Sequence, residues 1–468
     1  MILLEGNHCF WGVEDSVSYI HRINKSAVYL DLLGDSTFVC KFLYWGTLIF
    51  LIVEKYIKDP LYGNIRIDPN LIDTPYFQRL RHITQNGMAY MVFPSMRHSR
   101  FEHSLGVYHM ASKMIDRIRT ENLTKKLKSD WKDKIKKLAL YHDIGHLPFS
   151  HTFEYAFEVL QYLNPNIYNQ ILNFAGFKGK LYKLHEMVGV KLLEEMGEKE
   201  LSKLMQEIYK KDEPKNVFKK ITKLIINSEL DADRLDYLQR DSYYSGAKFG
   251  IIDPERIIVT MNITPDGYIF PPKAIDDLEH FFLARFHMYS SVYNHPVIEI
   301  YNRVMAYFIA FALDSSLLKF PDNFEEFKTF TDESVFLALL KAKNDPNLSH
   351  FYHSLVERRK YKRAVIEGDQ AQELLKAISG DKNFYKTILD YKGKVVIGEV
   401  ELTTNIDKIK IEKKMGNRTY TRDLKDEKAV TIPPGRHRIY IGAYDDESSN
   451  KITEYFKKEY NVIIPFRS

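Results

Sequence analysis

Three histidines and a carboxylate crowd into residues 140–151: His142 and Asp143 are adjacent, and His146 and His151 follow closely. The apolar run 138–141 leads into them, and Gly145 and Pro148 then end the helical pattern. If that run is a buried helix closed by His142 and Asp143, His146 lies one turn on, over His142. Imidazoles and a carboxylate held in a core need partners. A divalent cation is the most economical one, because neutral imidazole and ionised carboxylate are both good ligands for it. An adjacent His–Asp pair alone is weak evidence, since such pairs also occur in hydrogen-bonded surface turns. The rest of the chain has to decide.

Two other stretches carry the same chemistry. Residues 97–107 gather Arg97, His98, Arg100 and His103 at the mouth of a helix, which suits an anion, and His103 lies on that helix's apolar side. Residues 228–241 read as one helix on which Asp233, Asp236, Tyr237 and Asp241 share a face. Like charges on one stripe repel unless a cation or a substrate intervenes. His103, the His142–Asp143 pair and Asp233 therefore come from three separate helices. Two imidazoles and two carboxylates make a near-octahedral divalent site with positions left for water and phosphate.

The elements that must position them are mainly helical. Amphipathic patterns predict helices starting near Pro75, at residues 97–115, after His151, from Leu184, over 278–317 and through most of 320–380. From Lys394 the pattern alternates, at 395–400, 406–411, 429–432 and 437–441, before a last helix at 452–460. The expectation is a mainly α fold: an N-terminal extension at 1–52, a helical catalytic domain at 53–318, and a C-terminal lobe at 319–468 that is helical and then α/β. A length of 468 residues supports two or three domains. The net charge of +5 suits a binder of small anions without demanding nucleic acid. Cys9 and Cys40 are the two cysteines, which excludes a disulfide framework and a cysteine-based zinc site and points to a reducing cytoplasm. The most apolar run, 42–53, falls short of the roughly twenty residues that span a bilayer, so no membrane partner is expected.

The assembled motifs resemble the HD-domain phosphohydrolases, whose signature is H…HD…D, and within them the deoxynucleoside triphosphate triphosphohydrolase branch. The shared text runs through Asp73, Pro75, Phe77, Arg79 and Arg81, then Arg100, His103 and Gly106. It continues through His142, Asp143, Gly145, His146, Pro148 and His151, then Asp231, Asp233, Arg234, Asp236, Tyr237, Arg240 and Asp241. It covers roughly residues 54–310 well and 311–365 loosely. The resemblance implies His103, His142, Asp143 and Asp233 as ligands of a divalent ion (Mg, Mn, Fe or Zn). It implies Arg100, His146, His151 and Arg234 as phosphate contacts, and His185 with Glu154 as the catalytic histidine and its acidic partner. Gln85, Tyr237, Asp241 and Tyr293 match a sugar pocket that reads the 3′-hydroxyl and excludes a 2′-hydroxyl. The implied reaction is hydrolysis of a dNTP to deoxynucleoside and tripolyphosphate.

Some family members bind a guanine nucleotide between subunits of a homo-oligomer, a dimer or tetramer. Lys55, Tyr56, Asp73, Arg81, Arg359 and Arg363 match that activator site, and Pro296 stands where the family has a phosphate-contacting lysine. Two alternatives use the same residues differently. A phosphodiesterase for cyclic or alarmone nucleotides would keep the metal ligands without needing Tyr237, Asp241 and Tyr293 together. A nucleic-acid-binding protein would use the basic runs 97–100 and 358–363, weakly and in a salt-dependent manner, but leaves the four ligands unexplained.

Overall fold

The computed structural model describes residues 55–118, 130–176, 183–402, 406, 408–416, 418–427 and 436–467. The N-terminal extension at 1–52, the apolar run 42–53 and the expected strand 429–432 lie outside these. The chain divides into two compact units, residues 1–74 and 75–468.

In the first unit, β1 (Lys55–Asp59) and β2 (Gly63–Ile67) form an antiparallel hairpin, with Lys55 opposite Ile67. The Asp59 carboxylate accepts from the backbone N–H groups of Leu61 and Tyr62 at 2.8 and 3.0 Å, which holds the turn.

The second unit is mainly helical. Its principal helices begin with α1 (Arg100–Ile115), α2 (Trp131–Tyr141), α3 (His151–Leu163), α4 (Pro165–Phe174) and α5 (Leu184–Glu195). They continue with α6 (Lys199–Tyr209), α7 (Val217–Ile226), α8 (Ala232–Ser245), α9 (Ile275–Met288), α10 (Pro296–Asp314) and α11 (Asp332–Lys341). In the C-terminal region α12 (Asp369–Ile378), α13 (Lys382–Asp390) and α14 (Asp446–Tyr460) complete the set. Ser99 caps α1 through a capping box with Glu102, and Asp231 caps α8 by accepting from Arg234 N at 2.9 Å. Helix α10 is long and apolar enough to cross a membrane by composition, but 78% of that stretch is buried, and it packs along α3 as a core helix.

Two sheets flank the helices. In one, β3 (Asn262–Thr264), β4 (Gly267–Phe270), β7 (Ile409–Met415) and β8 (Arg418–Asp423) lie in that order, with β4 parallel to β7. In the other, β9 (Arg436–Ala443) runs antiparallel between β5 (Lys362–Glu367) and β6 (Val395–Leu402). The expected helix near Pro75 is two short turns instead, Pro75–Gln78 and the tighter Arg79–His82. Residues 362–367, inside a region expected to be helical, form a strand. Ala364 and Ile366 bury while their neighbours stay more open, and β9 supplies the ladder. Helix α14 starts at Asp446 rather than 452, because Asp445 caps it by accepting from Ser448 N at 2.8 Å.

Candidate metal centre and active site

Helices α1 and α8 cross at Gly106. A Cβ there would stand 1.8 Å from Asp236 Oδ1 and 2.6 Å from Arg240 Nη2, so only glycine permits the approach. That approach sets fully buried His103 against Asp236, with Nδ1 donating to Asp236 Oδ2 at 2.8 Å. Asp236 is itself held by Arg240 through two bonds of 2.9 Å. Burial opposes the charge on Asp236, but Arg240 and His103 hold its carboxyl well below the usual range. With Nδ1 carrying the proton, the lone pair of His103 is on Nε2. At the C-terminus of α2, His142 Nδ1 donates to Ala139 O at 2.8 Å, which fixes the same tautomer.

The two Nε2 atoms turn toward the two carboxylates. His103 Nε2 lies 3.0 Å from Asp233 Oδ1 and 3.5 Å from Asp143 Oδ2; His142 Nε2 lies 3.8 and 3.3 Å from the same atoms. Both Nε2 atoms are buried and neither makes a hydrogen bond, which is costly unless something else binds there. The donor set and the orphaned lone pairs fit a divalent cation, and the ligand atoms of His103, His142 and Asp233 all lie within 4.8 Å of one another. Without a cation the site takes up protons instead: burial disfavours charge on His103, yet Asp233 and Asp236 raise its pKa to about 10. Arg100 donates to Asp143 Oδ2, and despite burial this guanidinium, with His142 and His146, keeps Asp143 well below the usual carboxylate range.

A second cluster adjoins the first. Glu154, one turn into α3, bridges two imidazoles: Oε1 accepts from His185 Nδ1 at 2.5 Å and Oε2 from His151 Nδ1 at 2.9 Å. His146 stacks on His185 with ring centroids 3.9 Å apart, and its Nε2 lies 3.3 Å from Asp143 Oδ1. Gly145 allows this, since a Cβ there would meet His185 O and Gly189 N at 2.2 Å. Burial, then the charges of Arg100 and His185, push His146 well below its ordinary pKa, so it is neutral at pH 7.

A cavity of about 540 Å³ opens over these groups. Asp233, Arg100, His151, Glu154, Gln85, Arg234, Tyr237, Asp241 and Tyr293 all line it. Tyr293 donates to Asp241 Oδ2 at 2.7 Å, and Tyr237 packs edge-on to Tyr293 at 5.9 Å. His146 is 1% exposed and sits beneath the wall rather than on it. The residues matched to an activator site are divided between the two units. Lys55 pairs with Asp73 at 3.1 Å in the first unit, where Tyr56 is exposed. In the second unit Arg81 covers the Phe101 ring at 3.5 Å, Arg359 covers Tyr444 at 4.5 Å, and Arg363 pairs with Arg467 through the backbone.

Several supporting residues had no role in the sequence analysis, and His98, read there as part of an anion-binding helix mouth, is buried against a carboxylate instead. His98 and Asn86 both contact Asp241 Oδ1 at 2.7 Å. Buried Arg79 donates to His146 O at 2.8 Å and to Phe330 O at 3.0 Å, which fixes the loop after α2. Asp332 accepts from the N–H groups of Phe149 and Thr84 at 2.6 and 2.9 Å. The signal was present for Arg79 and Asp236, which lie within the quoted motifs. Asp332 lies far along the chain and carried none.

Residues 100–241 match the family model described as the HD domain, and residues 252–388 match the HD associated region. The chain belongs to the HD-domain family of phosphohydrolases. It is 37% identical over 254 residues to an uncharacterised protein of Methanocaldococcus jannaschii, covering 53% of this chain and 47% of that one. It is 30% identical over 311 residues to a Dictyostelium discoideum protein named as a deoxynucleoside triphosphate triphosphohydrolase homolog, covering 63% and 56%. The chain thus spans about half the length of these curated relatives. A Bacteroides thetaiotaomicron phosphohydrolase shares the fold, with a TM-score of 0.62 at 23% identity over 84% of this chain and 100% of that chain.

Proposed function

We propose that this protein hydrolyses deoxynucleoside triphosphates at the α-phosphorus, giving deoxynucleoside and tripolyphosphate. The observation that carries the reading is the Tyr293–Asp241 hydrogen bond of 2.7 Å in the same cavity as the metal ligand Asp233. A carboxylate and a phenol fixed together suit a sugar 3′-hydroxyl, and Tyr237, packed edge-on to Tyr293, is the side chain we assign to excluding a 2′-hydroxyl. The name of the Dictyostelium relative supports the same substrate class.

His103, His142, Asp143 and Asp233 would hold the divalent ion. When bound, that ion offsets phosphate charge and makes water a better nucleophile. Arg100, Arg234 and His151 offer positive or donor groups to the phosphate oxygens, where charge grows in the transition state. Water adds to the α-phosphorus, the bond to the 5′-oxygen breaks, and an imidazole of the pair held by Glu154 delivers the proton that the leaving oxygen needs. His146, neutral and stacked on His185, keeps that imidazole in place.

We also propose a homo-oligomer with a guanine-nucleotide activator held by Lys55, Tyr56, Asp73, Arg81, Arg359 and Arg363. Identical rates with and without added GTP or dGTP would remove the activator. The main test incubates the purified protein with each dNTP and Mg2+ or Mn2+ and separates the products by chromatography. Deoxynucleoside with tripolyphosphate is expected; a nucleoside monophosphate product overturns the reading.

A further inference from the structure

Lys183 precedes the first residue of α5 and lines the cavity above the metal centre. Its backbone N–H donates to Glu186 Oε2 at 3.0 Å, which caps the helix, so the exposed side chain is not needed to start it. His185, bound through Nδ1 to Glu154, follows two residues on.

Among the described residues, four basic side chains line this cavity: Arg100, His151, Lys183 and Arg234. Three of them are held by acceptors of the protein itself. Arg100 donates to Asp143, to Ser150 Oγ at 2.9 Å and to Gln85 O at 3.2 Å. Arg234 pairs with buried Asp231 at 2.6 Å, and His151 pairs with Glu154 at 2.9 Å. Lys183 makes no ion pair or side-chain hydrogen bond among the described residues, although Glu299, Glu399 and Glu401 line the same cavity. Its charge is nevertheless felt inside. Burial pushes the His151 pKa down, Glu154 opposes this, and the charge of Lys183 adds to the fall ahead of that of Arg100. An anion held by His151 therefore lies within reach of an uncompensated ammonium.

We infer that Lys183 binds the β- and γ-phosphates of the substrate and makes affinity depend on the phosphates beyond the α-phosphate. With the sugar at Tyr293 and Asp241 and the α-phosphate at the buried metal ligands, two parts of the substrate are left for the rim: the base and the outer phosphates. The base is neutral. The terminal phosphate is close to dianionic at pH 7, its second pKa lying at about 6. An ammonium on a flexible stem suits it as a point charge that follows the phosphate without a fixed geometry. This inference rests on the triphosphohydrolase reading and assigns a specificity residue within it.

The test uses Lys183→Met, which keeps an unbranched stem and loses the charge, and Lys183→Arg, which restores it. KM and kcat are measured for the dNTP hydrolysed fastest, with metal in excess. Inorganic tripolyphosphate and the matching deoxynucleoside are then titrated as competitive inhibitors. In Lys183→Met, KM for the triphosphate and Ki for tripolyphosphate are expected to rise about tenfold. Ki for the deoxynucleoside should stay unchanged and kcat should stay within about threefold. Lys183→Arg should bring KM and Ki back to within about threefold of the wild type. An unchanged KM in Lys183→Met makes Lys183 a solvated rim lysine and overturns the inference, leaving the triphosphohydrolase reading standing. A rise in Ki for the deoxynucleoside equal to that for tripolyphosphate overturns it as well, because the loss is then not confined to phosphate. Hydrolysis of no dNTP by the wild type overturns both.

Discussion

His103 Nδ1 donates to Asp236 Oδ2 at 2.8 Å, and this one bond decides which nitrogen of His103 faces the metal centre. Carboxylate partners of this kind fix the ring and raise its basicity as a ligand. In Asp236→Asn the amide can rotate to offer either a donor or an acceptor, so the tautomer is no longer enforced. Metal affinity should fall by about 10–100-fold, read by competition with a chelating dye. Arg240 also loses a buried charge partner, so the melting temperature should drop as well. Unchanged metal affinity in the folded variant would show that Asp236 serves packing alone.

Glu154 separates metal binding from proton delivery. Its two oxygens accept from two imidazoles, and it is not among the four residues proposed to hold the ion. A glutamine has one acceptor oxygen, so Glu154→Gln can hold His151 or His185 but not both. The expected result is full metal content with turnover reduced about 100-fold or more. Turnover within threefold of the wild type would remove Glu154 from the catalytic machinery.

His146 makes stability depend on acid. Burial keeps it neutral in the folded protein, whereas in the unfolded chain it takes up a proton near the ordinary pKa of 6.5. Above that pH both states are neutral and His146 contributes nothing to the dependence. Below it the unfolded state binds the extra proton, so folding stability falls by up to about 1.4 kcal/mol per pH unit from this group. In His146→Gln the decline in stability between pH 6.5 and 5, followed by urea unfolding of the metal-free protein, should be shallower. Parallel curves for the two proteins would mean that His146 is already protonated in the fold.

The His/Asp cluster of the candidate metal centre was legible because the residues that would hold the ion sit in short motifs with fixed spacing. His142 and Asp143 close one helix, and His103 and Asp233 each face inward from a capped helix start. Gly106 and Gly145, also in the motifs, hold their places because any side chain would strike Asp236 or His185. The β5 strand was not legible, since its ladder is with β9, far along the chain. The 262–270 hairpin pairs locally across Pro265 and Asp266, a turn signal that the sequence analysis did not use. The part of the cavity wall formed by Glu299 and β6 was hidden as β5 was. Its parts come from α10 and from a sheet whose place in the fold local pattern does not determine.

The loop carrying His146 and His151 is held under strain by a residue far away in sequence. Phe149 and Ser150 have φ values of 57° and 56°, a region that non-glycine residues seldom occupy. Two such residues cost on the order of 1–3 kcal/mol each, so the surroundings must enforce them. Asp332 does so by accepting from Phe149 N and Thr84 N, and Ser150 Oγ donates to Thr84 O while accepting from Arg100 Nε at 2.9 Å. Burial raises the Asp332 pKa to about 6 against those two backbone bonds, so at pH 7 it is mostly an ionised double acceptor. Asp332→Ala frees both N–H groups and lets the loop relax toward ordinary dihedrals. Arg100 then loses its anchor on Ser150 and with it the angle at which it meets Asp143. The variant should lose about 1–3 kcal/mol of stability and should raise KM for the triphosphate more than it lowers kcat, since Arg100 is the group displaced. A variant that loses stability yet keeps the wild-type KM would show that the strained loop is maintained without Asp332 and that Arg100 does not depend on it.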